Sequence, residues 1–161
     1  MSTSNEGFEW FFRAEYEAVL RTCILITRDR AKAEDVTQEA FAKLLNHWDR
    51  VSRYDHPDAW VRKVAVRLAI KTSRRDRMRE VLERRREAVP EAAGSDLSLI
   101  DVISGLPPAQ KTAIILFYYE DRPTSEIATI LDCSESTARV HLHKARKRLA
   151  ALVREEVTDV T

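Results

Sequence analysis

Glycine and proline are scarce in this chain, with three and five residues among 161. Helical periodicity runs almost throughout, and with so few breakers available the fold class is all-α. The two cysteines, Cys23 and Cys133, stand far apart and follow no secretory leader, so no disulfide framework is expected and buried thiols are the default. No apolar run approaches bilayer length, and the start MSTSNEGFEW lacks a signal-peptide pattern. We therefore expect a soluble protein of a reducing compartment, cytoplasmic and without membrane insertion. There is no Gly-rich phosphate loop, no Cys-x-x-Cys and no His-Glu-x-x-His. His141 and His143 are two apart and point to different helix faces, and Glu34-Asp35 has no partner base or cradle. Catalytic residues, cofactors and metals are assigned to none of these positions. Repeats and low-complexity segments are absent too.

An excess of one charge is also missing. The 27 basic residues face 26 acidic ones, for a net charge near +1. The signs are segregated, however. Glu6, Glu9, Glu15 and Glu17 make the N-terminus acidic, while residues 62–86 and 139–154 are rich in Arg and Lys. Local fields rather than the total steer a polyanion, so nucleic acid stays a candidate partner.

Hydrophobic residues make up 44%, enough for one domain or two small cores. Phe8, Phe12, Tyr16, Val19, Leu20, Cys23 and Ile24 predict a first helix over 8–27, followed by a polar break at Thr27 to Arg30. Ala33, Val36, Ala40, Phe41, Leu44 and Trp48 mark a second helix ending near His47 or Trp48. A loop runs from Asp49 to His56. Pro57 suits the first position of a third helix, which turns Trp60, Val61, Val64, Ala65 and Leu68 inward and continues to Arg79. Residues 88–98 read as a linker holding a Pro and a Gly. Leu99, Ile100, Ile103 and Leu106 open a second domain, and Leu106-Pro107-Pro108 announces a helix whose Ala113, Ile114, Leu116, Phe117 and Tyr118 should pack beneath a C-terminal helix pair. The expected layout is a domain over 1–87, a tether over 88–98 and a domain over 99–161.

That helix pair, PTSEIATILDCSESTARVHLHKARKRL from Pro123 to Leu149, reads as a helix-turn-helix. Thr124 is the candidate N-cap of its first helix, Glu126 suits the dipole, and Ile127, Ala128, Ile130 and Leu131 supply the buried face. Asp132-Cys133 predicts a tight turn because Asp tolerates the left-handed conformation. Ser134 caps the second helix, whose Ala138, Leu142, Ala145 and Leu149 recur at helical steps. That leaves Ser136, Thr137, Arg139, Val140, His143, Lys144 and Lys147 on or near the outer face, with Arg146, Lys147 and Arg148 as phosphate-contact candidates. A helix of this kind fits the major groove of DNA.

Three segments in order carry a family resemblance. Residues 33–48 (AEDVTQEAFAKLLNHW) resemble the helix by which bacterial sigma factors grip core RNA polymerase, and 56–75 (HPDAWVRKVAVRLAIKTSRR) resemble the adjacent promoter-reading helix. Residues 106–149 resemble the C-terminal DNA-binding region, and the short layout is similar to the extracytoplasmic-function group. The chain departs from the family pattern at Asp132 and Ser136, where Gly is usual, at Ala138 for Val and at Lys144 for Arg. Arg67 and Lys71 stand where Asn and Asp are usual, so base-level specificity does not transfer.

The resemblance implies that Asp35, Gln38, Glu39 and Ala42, which lie away from Val36, Ala40 and Leu44, bind core RNA polymerase. It implies a base-capture pocket at Ser52, Arg53, Tyr54 and Asp55, with Tyr54 a better stacking residue than Trp60. Arg62, Lys63, Arg67, Lys71, Arg74 and Arg75 would then hold strand phosphates and the −10 element of promoter DNA. Arg139 would take a guanine edge in the −35 element, with His143 and Lys144 a turn further along. The family often adds an anti-sigma factor as a partner. A free-standing helix-turn-helix regulator, with 1–87 as a sensing or dimerisation domain, and a helical interaction module are the alternatives.

Overall fold

The computed structural model describes the backbone of residues 2–86 and 99–159 and the side chains of 5–83 and 99–155. Among the described residues the only regular elements are helices. The linker expected at 88–98 lies outside them. The chain falls into two compact units, Met1–Thr72 and Ser73–Thr161.

The first unit contains α1 (Ser2–Thr27), α2 (Arg30–Asn46), the single turn α3 (Trp48–Val51) and most of α4 (Pro57–Arg86), which runs on past Thr72. Helix α1 begins at Ser2 rather than Phe8, because apolar periodicity marks only the part of a helix that packs. The polar break is a two-residue turn with Arg28 left-handed (φ 55). Thr27 Oγ1 donates to the Cys23 carbonyl at 2.8 Å, and the Asp29 carboxylate caps α2 by accepting from the Lys32 N–H at 3.1 Å. Val19, Cys23, Ile26, Ala33, Ala40, Phe41, Leu44, Val61, Ala65 and Val66 are fully buried. At one end Phe8, Phe11, Phe12 and Tyr16 gather around Phe41 and Trp48, with Phe12 edge-on to Phe41 at 5.1 Å and Phe11 5.3 Å from Trp48. Such pairs add about 0.5–1.5 kcal/mol each beyond their burial. This cluster explains α3, which occupies the start of the expected Asp49–His56 loop. Trp48 is pinned by Phe8 and Phe11 and Val51 is fully buried, so the chain between them closes into one turn. On α4, Val66, Ala69 and Ile70 join Val61 and Ala65 inside, whereas Trp60, Val64 and Leu68 are only half-buried.

In the second unit α5 (Leu99–Ser104) and α6 (Pro108–Ile114) lead into a π-helical stretch, Ile115–Tyr119, then α7 (Thr124–Leu131) and α8 (Glu135–Asp159). Helices α6 and α7 both pack on α8. Ala113, Ile114, Leu116, Ile127, Ala128, Ala138, Leu142 and Ala145 form the core. The π stretch corrects one expectation. Tyr118 is 59% exposed rather than packed beneath the helix pair, and Phe117 is half-buried. The Glu120 N–H reaches back to the Ile115 carbonyl at 3.2 Å, so one extra residue enters the turn and rotates those after it away from the α-helical register. Asp121 is left-handed (φ 56), and Arg122 then braces the entry to α7 through Glu120 (3.4 Å) and Glu126 (3.1 Å). Burial alone would lower the Arg122 pKa; the Glu126 hydrogen bond and the two carboxylate charges outweigh it and raise it. Thr124 is not the cap of α7. Pro123 holds that position with extended ψ (155), and its carbonyl accepts from the N–H groups of Glu126 (3.0 Å) and Ile127 (3.1 Å). The cap residue's own carbonyl takes the first helical bonds, so Thr124 is already inside the helix.

Candidate nucleic-acid and polymerase interfaces

The turn between α7 and α8 is built from two residues with defined tasks. Asp132 sits left-handed (φ 56, ψ 48) after α7, and the Cys133 N–H donates back to the Ala128 carbonyl at 3.0 Å, which closes the helix end. Ser134 Oγ accepts from the Thr137 N–H at 3.1 Å and opens α8. The same oxygen lies 3.0 Å from Ser136 Oγ and 2.8 Å from Thr137 Oγ1, so both of those hydroxyls belong to the cap network. Cys133 is half-buried; its burial, then the Asp132 charge, pushes the thiol pKa up. Cys23 is buried, with Sγ 3.9 Å from the Ala65 carbonyl.

Ser136, Thr137, Arg139, Val140, His143, Lys144 and Lys147 are all exposed on α8, and Ala138, Leu142 and Ala145 are buried. Arg139 is engaged by Glu135, one turn earlier, through Nη2 to Oε1 at 2.9 Å. Arg146 is placed differently from its neighbours Lys147 and Arg148. Its Nε donates to Tyr118 Oη at 2.8 Å, and its guanidinium lies 5.0 Å over the Phe117 ring and 5.5 Å over Tyr118. It ties α8 to the π stretch, in a register next to Leu142 that faces the unit's own surface. His141 turns inward while His143 is exposed, and burial, then Lys144, lowers the His141 pKa.

On α4, Lys63, Arg67, Lys71 and Arg74 recur at steps of four, four and three and form one row. Arg67, Lys71, Arg74 and Arg75 are exposed, and Lys63 is half-buried. Arg62 does not join them. Its side chain is 12% exposed and lies 3.8 Å from Glu15 of α1. Arg62, Val66, Ala69 and Ser73 share the other row, where Val66 and Ala69 are fully buried. The spacing to Val66 and Ala69 was the signal that sequence reasoning passed over. Before α4, Ser52, Arg53, Tyr54, Asp55 and His56 are all exposed, with Tyr54 at 44%. Trp60 lies half-buried with its ring edge-on to His47 at 5.9 Å.

Asp35, Gln38, Glu39 and Ala42 are exposed on α2, opposite Val36, Ala40 and Leu44. Leu45, three residues beyond Ala42, is 49% exposed and extends this face with an apolar side chain. It was missed because a leucine beside Leu44 reads as core. Glu39 pairs with Lys43 at 3.7 Å, and Arg30 with Glu34 at 3.0 Å. Among the described residues no cluster of His, Cys, Asp and Glu could hold a metal ion, and no helix is long and apolar enough to cross a membrane.

Comparison with known proteins matches residues 11–79 to the family described as Sigma-70 region 2 and residues 96–149 to Sigma-70, region 4. The RNA polymerase sigma-E factor of Streptomyces coelicolor is 29% identical over 150 residues, covering 88% of this chain and 83% of that protein. The ECF RNA polymerase sigma factor SigL of Mycobacterium tuberculosis is 30% identical over 152 residues, covering 88% and 86%. The fold is similar to that of the sigma factor RpoE of Bartonella quintana, solved in complex with the anti-sigma factor NepR, with a TM-score of 0.70, 24% identity and 92% and 98% of the two chains covered. With both regions matched in order and relatives aligned over most of their length, the chain belongs to the extracytoplasmic-function sigma factors, non-enzymatic initiation factors that direct RNA polymerase to promoters.

Proposed function

We propose that residues 1–87 hold core RNA polymerase and open the −10 element, that 99–161 read the −35 element, and that 88–98 tether them. Asp35, Gln38, Glu39 and Ala42, with Leu45 as their apolar neighbour, form the polymerase face of α2. Charge and amide hydrogen bonds on such a face set register and encounter rate, and packing supplies affinity. Arg53 and Tyr54 take an unstacked base, a step that costs a few kcal/mol. Lys63, Arg67, Lys71, Arg74 and Arg75 hold the neighbouring phosphates, and Arg62 instead braces α4 against α1. On α8, Ser136, Thr137, Arg139, Val140 and His143 face the bases, while Lys144 and Lys147 meet phosphates. The observation that carries this reading is the cation row of α4 following an exposed Arg53–Tyr54 loop, which sets the residues for base capture immediately before the helix for strand binding.

Work of this kind belongs in the cytoplasm, with the polymerase. An anti-sigma factor is a further proposed partner. Exposed apolar side chains such as Trp10 (74%), Leu99 (62%) and Ile100 (45%) offer it contact area. The test is in vitro transcription with purified core enzyme on genomic fragments, with start sites mapped. Discrete starts that need this chain are expected; none above core enzyme alone would overturn the proposal. A free-standing regulator would bind DNA without co-purifying with core enzyme.

A further inference from the structure

Glu135 opens α8, and its carboxylate accepts from Arg139 Nη2 at 2.9 Å, with the two side chains 49% and 63% exposed. An exposed pair one turn apart contributes little to stability, so its effect is on where the guanidinium sits. At about 100° per residue, Ser136, Val140, His143 and Lys147 occupy the centre of the outward face, and Glu135, Arg139 and Arg146 fall on one flank. Arg146 is drawn onto Phe117 and Tyr118. Arg139 is instead drawn toward the N-terminal end of α8, the end that approaches base edges in a helix-turn-helix. A flanking cation without this tether would settle on the nearest phosphate, which positions without specifying. The carboxylate repels phosphate and occupies one N–H group, leaving the others for guanine O6 and N7. The Ser136 and Thr137 hydroxyls are both engaged with Ser134 Oγ, so the charged pair dominates the polar chemistry of this first turn.

We propose that Glu135 is a positioning residue for −35 recognition: it holds Arg139 as a reader of guanine and keeps it from becoming a phosphate clamp. This rests on α8 being the −35 helix. The test uses holoenzyme reconstituted from core polymerase and the full chain, on a promoter fragment whose start has been mapped. Dissociation constants are measured at several salt concentrations on that fragment, on one with a scrambled −35 element, and on fragments with each −35 base pair replaced. Arg139→Ala locates the base pair it reads. Glu135→Ala is expected to lower preference at that same base pair about tenfold while tightening binding to the scrambled element. The slope of log K against log salt should steepen by about one as Arg139 gains a phosphate. In an Arg139→Ala background, Glu135→Ala should change preference no further. Equal weakening on both elements with an unchanged slope would reduce Glu135 to a helix-stabilising residue and overturn the proposal. A loss of preference that persists without Arg139 would also overturn it, because Glu135 would then read a base itself. If wild-type holoenzyme showed no −35 preference at all, the reading of α8 would fail before any variant was made.

Discussion

Replacing Arg62 with alanine should destabilise the chain and leave its salt-dependent grip on DNA unchanged. The side chain is 12% exposed, lies in a row with the fully buried Val66 and Ala69, and faces Glu15, itself 29% exposed, across 3.8 Å. That separation is long for a charge-assisted hydrogen bond, so the ion pair itself contributes about 1 kcal/mol or less. The larger part is the stem. Alanine keeps Cβ, so two methylenes are lost, which at about 0.8 kcal/mol each add roughly 1.6 kcal/mol, for a total of about 2–2.5. In a chain of this size that lowers the unfolding midpoint by about 4–10 °C. Arg62→Met keeps the stem and gives up the charge, so it should recover most of the loss. Thermal unfolding of the full chain, followed by circular dichroism, measures both. In parallel, holoenzyme binding to a mapped promoter is titrated over a salt series. Arg62→Ala should keep the wild-type slope, whereas Lys71→Ala should flatten it by about 0.7–0.9. An unchanged midpoint together with a flattened slope would put Arg62 on DNA and refute the burial argument.

Asp35→Arg combined with Gln38→Lys should abolish capture of core polymerase while helical content is kept; undiminished pull-down would show that the face is misassigned. Arg53→Ala with Tyr54→Ala should spare closed-complex binding and impair melting, with activity restored on a template carrying a pre-melted bubble. Equal losses on duplex and bubble would refute base capture. Lys147→Ala should weaken binding to cognate and scrambled −35 elements alike and flatten the salt slope by about 0.9. A loss confined to the cognate element would make Lys147 a base reader.

Features set by the chemistry of one residue were legible in the sequence. Asp132 in the left-handed turn and Ser134 as the cap of α8 each follow from what a short polar side chain can do locally. The buried steps Ala138, Leu142 and Ala145 were equally plain, because periodicity is itself the packing signal. Illegible features needed two distant segments at once. Nothing local to WDRV announces a helical turn; Phe8 and Phe11, far upstream, hold Trp48 in place. The π stretch has no residue signature either, and its extra residue sent Tyr118 outward. Arg62 was grouped with its cationic neighbours by charge, although helical phase set it on the other row with Val66.

That misgrouping bears on how a chain of net charge near +1 can hold a polyanion. Several arginines among the described residues are engaged with other groups of their own chain, among them Arg62 with Glu15, Arg122 with Glu120 and Glu126, Arg139 with Glu135, and Arg146 with Phe117 and Tyr118. Each uses the guanidinium's planar, directional donors or its ability to stack, which an ammonium cannot reproduce. On α8 Lys144 and Lys147 stand among the exposed residues beyond the first turn, and their compact charge suits a phosphate approached from varied directions. Counting cations therefore overstates the charge offered to DNA on α8, and counting arginines misplaces it. Attraction to the duplex should follow the exposed lysines there, whereas discrimination between sequences should follow Arg139, the guanidinium held at the N-terminal turn of α8, where base edges come within reach.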